Sequence, residues 1–157
     1  MTRILMVCLG NICRSPMADG LLRRKVKEHN LAVYVDSAGT ANYHIGKKPD
    51  SRMCQTAKEN QTNIEDLRAR QFTQEDFSAF DKIYAMDQEN YRNILKLARN
   101  SNDELKVELI LNETFPGENR AVPDPYYGTK EDFQEVYNLL DHATEVVISK
   151  IKNGTIR

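Results

Sequence analysis

A thiol, a guanidinium and a hydroxyl follow one another at close spacing near the start of the chain, in Val7-Cys8-Leu9-Gly10-Asn11-Ile12-Cys13-Arg14-Ser15-Pro16. Cys8 ends an apolar run, five residues separate it from Arg14, and Ser15-Pro16 have the residue types of an N-cap and first helical position. Such a loop can turn its N–H groups inward as an anion nest. Gly10 permits close backbone approach and positive φ, and Asn11 tolerates the left-handed region. The helix behind the loop adds its positive end, and Arg14 a forked cation matched to two phosphoryl oxygens. The same cradle stabilises a thiolate at Cys8, which can attack phosphorus in line and form a phosphocysteine. Ser15 is suited to hydrogen-bond the sulfur as it leaves in the second step. Leu9, Gly10, Asn11, Ile12, Cys13, Arg14 and Ser15 are therefore candidate phosphate ligands, with Cys8 the nucleophile. A cysteine five residues from an arginine is common by chance, and free cysteine at a strand end is often only packed. The apolar strand before it, the glycine within and the proline-started helix after it are the context the chemistry requires.

The cycle also needs an acid that protonates the leaving oxygen and then activates water. Asp124, in Asp124-Pro125-Tyr126-Tyr127, is the candidate. Pro125 forces Asp124 into an extended conformation, and Tyr126 and Tyr127 offer walls for a cleft that takes a phenyl ring. Taken alone, that segment reads as an ordinary Asp-Pro turn; beside the cysteine loop the catalytic reading is preferred. His44, in the polar loop Asn42 to Lys48, is placed at the rim of the same cleft, where an exposed loop histidine is the plainer account.

These groups must be held by secondary structure. Ile4-Leu5-Met6-Val7 reads as a parallel strand covered on both faces. After it, Met17, Ala18, Leu21, Leu22 and Val26 share one helical face. Val33-Tyr34-Val35 is a second strand, and Ser37-Ala38-Gly39-Thr40 turns out of it. Pro49 opens a helix from Asp50 to about Asn60, and Thr73 with Asp76 resembles a capping box at another helix start. Lys82 to Met86 is a third strand ending at Asp87, followed by a helix from Gln88 to Ala98. Lys106 to Leu111 is a fourth strand, and Asn112 to Gly128 a long loop of the kind that is often functional. Phe133, Val136, Tyr137, Leu140, Ala143, Val147 and Ile151 give a closing helix at 3.6-residue period. Strands alternating with helices predict a three-layer α/β/α fold with a parallel sheet, whose ligands bind beyond the carboxyl ends of the strands.

The chain's 157 residues suit one domain over 1–157, and 40% hydrophobic with 29% charged residues is a globular composition. No apolar run approaches the ~18 residues a membrane span needs, and Ile4 to Val7 is too short for a signal-peptide core; a cytoplasmic location and no membrane insertion are expected. A net charge of −1 gives no reason to expect nucleic acid. Arg3, Arg14, Arg23, Arg24, Lys25 and Lys27 gather early, which predicts a solvated helix end rather than a docking patch. Three cysteines without CxxC suggest neither a disulfide framework nor a zinc site, and Cys54, on a predicted helix, is expected to pack.

The chain resembles the low-molecular-weight protein tyrosine phosphatases over nearly its full length. The resemblance is carried by Val7 to Pro16, Asp36-Ser37-Ala38-Gly39-Thr40, Pro49-Asp50-Ser51-Arg52, Ala69-Arg70-Gln71, Ala85-Met86-Asp87 and Asp124-Pro125-Tyr126-Tyr127. It implies a four-stranded parallel sheet of order 2-1-3-4, with the phosphate-binding loop after the first strand. It also implies Cys8 as nucleophile, Arg14 as phosphate clamp and Asp124 as acid and then base. Asn11 and Ser37 would hold the loop in shape, while Ile12, Tyr43 and Tyr126 would form the aromatic slot. No metal or organic cofactor is implied. Cys8 and Cys13 would form a reversible disulfide that shields the nucleophile. The expected substrate is a phosphotyrosine protein, in some bacteria within a tyrosine kinase system, and a monomer or weak dimer is expected. Leu67 stands where relatives carry a histidine that supports the loop, and Thr62-Asn63-Ile64 departs from a usual Gly-Ile pair. A sister group reduces arsenate through two later cysteines, but only Cys54 follows Cys13. A second sister group hydrolyses phosphoarginine and tends to carry Thr at position 12, so Ile12 favours a tyrosyl ring. A noncatalytic phosphopeptide-binding or redox-sensing module is the alternative of a different class.

Overall fold

In a computed structural model, which describes residues 1–156, four parallel strands lie in the order β2-β1-β3-β4. They are β1 (Thr2–Cys8), β2 (Val33–Gly39), β3 (Lys82–Ala85) and β4 (Val107–Leu109). The helices are α1 (Arg14–Glu28), α2 (Ser51–Glu59), α3 (Asp76–Ala79), α4 (Gln88–Leu95), α5 (Ser101–Leu105) and α6 (Lys130–Lys152), and a 3₁₀ turn spans Ile110–Asn112. The central β1 alternates between two cores. Ile4, Met6 and Cys8 meet α1 and α6 through Met17, Leu21, Val136 and Leu140, while Leu5 and Val7 meet Phe72, Phe77 and Ile94 on the other face. Ile4 to Val7 are wholly buried, and each such side chain contributes about 1.5–3 kcal/mol. The apolar run thus forms the strand with helices on both sides that its composition implied. Gly20, inside α1, has a packing reason: a Cβ there would collide with Ile64 Cγ2. No helix among the described residues is long and apolar enough to cross a membrane.

Several local expectations are corrected. α1 begins at Arg14 with Cys13 in the N-cap position, so Ser15 and Pro16 lie inside the first turn; the Ser15 hydroxyl is drawn to the Cys8 sulfur instead of capping. β2 runs on to Gly39, because Ser37, Ala38 and Gly39 pair with Met6, Val7 and Cys8 rather than turning away. Asp50 caps α2 by accepting the Arg52 N–H, and the helix starts at Ser51. Half of the expected box at Thr73 exists, the Thr73 N–H donating to Asp76 Oδ2 at 2.8 Å, but the helix is a single turn beginning at Asp76. α4 stops at Leu95 because the chain tightens, Leu97 and Ala98 donating to carbonyls three residues back. α5 was not expected, although Asn100 caps it by accepting the Asp103 N–H. β3 ends at Ala85, and β4 gives way to the 3₁₀ turn at Ile110.

The early basic cluster is only in part a solvated helix end: Lys27 is exposed in the last turn of α1, but Lys25 and Arg24 are drawn into the fold. Lys25 is buried, with Nζ 2.8 Å from Asp141 Oδ1 and 3.0 Å from Glu145 Oε2. Arg24 donates to Thr62 Oγ1 at 2.6 Å and to the Asn60 carbonyl at 3.0 Å. These cations fasten α1 to α6 and to the segment after α2.

Candidate active site

Cys8 ends β1 at the sheet's carboxyl edge, and the chain then wraps through residues 9–13 into α1. Outside partners set the orientation of this loop. The carbonyls of Cys8, Leu9, Ile12 and Cys13 accept backbone N–H groups from Thr40, Ala41, Asp50 and Met17. In a planar trans peptide the N–H points opposite to its carbonyl, so tying four carbonyls outward turns the N–H groups of Leu9, Gly10, Cys13 and Arg14 toward the loop's centre. The fifth inward donor is observed directly, the Asn11 N–H lying 3.3 Å from Cys8 Sγ. Asn11 alone in the loop has positive φ, at 58°. Gly10 lies close under the His44 ring, where a Cβ would come 3.0 Å from Cδ2 and the imidazole would have to shift.

The Asn11 side chain is buried beneath the loop and is fully used. Its amide donates to Ser15 Oγ at 2.8 Å and to Ser37 Oγ at 3.0 Å, and its carbonyl accepts the Arg70 N–H at 3.1 Å. Ser15 Oγ in turn stands 3.0 Å from Cys8 Sγ. With both amide hydrogens committed, each serine keeps its own proton to donate, and Ser15 has the sulfur at 3.0 Å and the Ala38 carbonyl at 3.5 Å as acceptors. Leu67 packs apolarly against the α1-side core, so the Arg70 backbone is one polar prop under the loop on that side.

Arg14 is 4% exposed, and its Nη1 spends both hydrogens on Asp87 Oδ2 at 2.7 Å and the Val122 carbonyl at 3.0 Å. The Nε–Nη2 edge is the fork left for two oxygens of an anion. Burial works against the charge, but Cys8, Asp87 and Asp124 outweigh it and the guanidinium's pKa is raised. Asp87 simultaneously caps α4 by accepting the Asn90 N–H at 2.7 Å. Val122 donates its own N–H to the Met86 carbonyl, which ties the long loop to the end of β3.

Asp124 lies across from this fork, half exposed, with Oδ2 3.9 Å from Arg14 Nη2 and Oδ1 accepting the Tyr126 N–H at 3.1 Å. Both face a cleft of about 350 Å³, lined also by Cys8, Leu9, Gly10, Ile12, Cys13, Tyr43, His44, Tyr126 and Tyr127. Tyr126 is the wall, steadied by the Arg52 guanidinium 5.3 Å from its ring centre; Arg52 is held in turn by both Asp50 oxygens. Tyr127 is almost wholly exposed and Tyr43 largely so, which makes them rim rather than wall. Asn11, Ser15 and Ser37, expected as ligands or supports, lie beneath the cleft and not in its lining.

Cys13 is buried next to the sulfur, and burial, with Asp50 and Cys8 adding to it, pushes its thiol pKa strongly upward. All three cysteines are free. Among the described residues no three His, Cys, Asp or Glu side chains are grouped as a metal would need. Sequence reasoning missed Asp87 and Val122 as holders of Arg14 and Gly39 as a contact surface. A Cβ on Gly39 would lie 2.8 Å from the Leu9 carbonyl oxygen. Asp87 could have been found from its place at the end of the strand next to β1.

Comparison with known proteins gives a consistent picture. Residues 3–155 match the family model described as low molecular weight phosphotyrosine protein phosphatase. The human low molecular weight phosphotyrosine protein phosphatase is 42% identical over 140 residues, 85% of either chain. A protein tyrosine phosphatase from Entamoeba histolytica, solved with Hepes in its active site, superimposes with a TM-score of 0.92 at 35% identity, covering 99% of both chains. A Drosophila arginine phosphatase superimposes at 0.89 with 30% identity, covering 97% of this chain and 98% of its own.

Proposed function

The chain belongs to the low molecular weight phosphotyrosine protein phosphatase family, and from that premise we propose how its own residues carry out the hydrolysis of an aryl phosphate monoester. The phosphoryl group sits on the inward N–H groups of the phosphate-binding loop, with two oxygens on the Nε–Nη2 edge of Arg14. Cys8 Sγ attacks phosphorus opposite the leaving phenolic oxygen. The P–O bond breaks, Asp124 gives its proton to that oxygen, and a phosphocysteine remains. Asp124, now a carboxylate, takes a proton from water as the water oxygen bonds to phosphorus and the S–P bond breaks. Ser15 donates to the departing sulfur. Residues 1–157 act as one domain in this scheme.

One observation carries the reading. Cys8, its sulfur within reach of the Asn11 N–H and Ser15 hydroxyl, lines one cleft with Arg14 and Asp124. Ile12, Tyr126 and the rim tyrosines favour a flat phenyl ring between apolar faces, and a phosphotyrosine side chain in a protein is the substrate. Cys8→Ser is expected to abolish turnover while inorganic phosphate still binds. Asp124→Asn is expected to cut turnover by roughly 10²–10⁴ with little loss of phosphate affinity. Full turnover in Cys8→Ser overturns the nucleophile, and faster hydrolysis of a phosphoarginine peptide than a phosphotyrosine peptide overturns the substrate. The same reading assigns Cys13 to resolve an oxidised Cys8: after peroxide converts Cys8 to a sulfenic acid, the Cys13 sulfur displaces hydroxide, which leaves as water with the thiol proton. Thiol-reversible peroxide inactivation that becomes irreversible in Cys13→Ser supports that step; unchanged reversibility rejects it.

A further inference from the structure

A second groove lies behind the wall of the substrate cleft and takes no part in the scheme above. It has a volume of about 370 Å³ and is lined by Ser51, Arg52 and Gln55 of α2 and by Thr129, Lys130 and Phe133 at the start of α6. Its lining carries two cations and no acid. Arg52 joins the groove to the cleft. Its guanidinium carbon lies 5.3 Å from the ring centre of Tyr126, the cleft's wall, and 4.7 Å from that of Phe133 in the groove. The two ring centres are therefore no more than about 10 Å apart, a distance that three residues of extended chain span. A peptide whose phosphotyrosine ring lies against Tyr126 has a residue two or three positions away within reach of the groove.

Both cations keep donors for a ligand. Arg52 spends Nε and Nη2 on Asp50 at 3.0 and 2.8 Å, and among the described residues its Nη1 has no hydrogen-bond partner. The Lys130 side chain is 72% exposed, and its ion pair with Glu59 at 3.2 Å leaves two of its three ammonium hydrogens. Asp50 and Glu59 hold these cations without lining the groove. We propose that this groove is a substrate subsite, which takes the carboxylate of an Asp or Glu two or three residues from the phosphotyrosine and holds it between Arg52 and Lys130. The proposal deepens the phosphatase reading by naming the chemistry around the phosphotyrosine, and it rests on that reading. A group bound so far from phosphorus is held equally in the ground and transition states, so its effect falls on KM.

The test compares kcat/KM on phosphotyrosine peptides that carry Glu, Ala or Lys two or three residues before or after the phosphotyrosine. On one side of it, Glu is expected to exceed Lys by about fivefold at low salt, the worth of one solvent-exposed ion pair. The margin should lie in KM and shrink at high salt. Lys130→Glu puts an acid in the first turn of α6, which the helix tolerates, and should reverse the preference while kcat/KM on a small aryl phosphate stays within about twofold of wild type. Lys47→Glu, in the exposed loop that carries Tyr43 and His44 to the cleft, should leave the preference intact. Peptides that the wild-type protein does not distinguish by charge overturn the proposal. So does a preference that survives Lys130→Glu or disappears in Lys47→Glu. Failure of the hydrolytic reading looks different, because the small aryl phosphate, too short to reach the groove, is then not turned over either.

Discussion

Asp87 sets the orientation of Arg14, and removing it separates two effects of different size. Asp87→Ala takes away the α4 cap, worth about 1 kcal/mol. It also leaves a buried guanidinium short of its ion partner. Breaking a fully buried pair costs roughly 3–5 kcal/mol, but Asp87 is 25% exposed and the Val122 carbonyl still accepts from Nη1. We therefore take about 2 kcal/mol, for a total near 3 kcal/mol, read as a fall in unfolding free energy in urea. Asp87 spends Oδ1 on the Asn90 N–H and Oδ2 on Nη1, so Asp87→Asn keeps the cap with its one oxygen but turns an NH2 toward the guanidinium, at a cost of about 2 kcal/mol. Activity should follow the same order. An Arg14 free to swing away no longer presents its Nε–Nη2 edge, and a misplacement of about 1 Å costs roughly 10²-fold; kcat/KM for an aryl phosphate falls by that amount in the Ala variant. The reasoning fails if Asp87→Ala unfolds within about 0.5 kcal/mol of wild type and retains its kcat/KM. Tighter phosphate binding with intact turnover would equally refute it, since Asp87 would then compete with the anion for Arg14 instead of aiming it.

Gly39→Ala places a methyl 2.8 Å from the Leu9 carbonyl oxygen and 3.1 Å from the Gly10 carbonyl carbon, both backbone atoms that cannot yield. A kcat loss larger than the loss of stability is expected, and wild-type kinetics would count against the close approach. The Asp19 carboxyl changes stability with pH in a definite sense. Its folded pKa of about 6 lies above the ordinary value of 3.8, so its contribution is most favourable below about pH 4 and is lost as pH rises through 6. That difference is roughly 3 kcal/mol, so Asp19→Asn should exceed wild type in urea at pH 7.5 by up to this amount and converge with it near pH 4; a variant less stable throughout contradicts the sign. Lys25→Ala leaves Asp141, Glu145 and Thr144 without their shared cation, but both acids are solvent-exposed, so stability should fall by about 1–2 kcal/mol with kcat unchanged, measured by denaturation and by initial rates at saturating substrate.

The nearness of Cys8 to Arg14 was legible in the chain because it lies in local order. A strand, a short loop and a helix start are contiguous, and five intervening residues leave few ways to arrange a thiol and a guanidinium. The apolar run Ile4 to Val7 and the 3.6-residue period of α6 were legible for the same reason, since burial on one face or two imposes its own spacing. Ser15 shows the limit of such reasoning. Its residue type suits a helix cap, but the nearby sulfur and Asn11 amide compete for the hydroxyl, and only the folded loop brings them within 3.0 Å. Lys25 shows another: its acids, Asp141 and Glu145, lie more than a hundred residues further along the chain, so a buried lysine looked like a solvated one.

Tertiary structure alone decided what holds the site. Asp87 and Val122 reach Arg14 across 73 and 108 residues, and Arg70 reaches Asn11 across 59. Nothing in local spacing selects those partners. They meet because β3 pairs with β1 and β2 pairs on its other side, which brings the ends of three strands together at one edge. The reactive groups are a property of the chain's local order, while their aim comes from the sheet, because a hydrogen bond is specified by distance and angle between atoms that only packing can bring together.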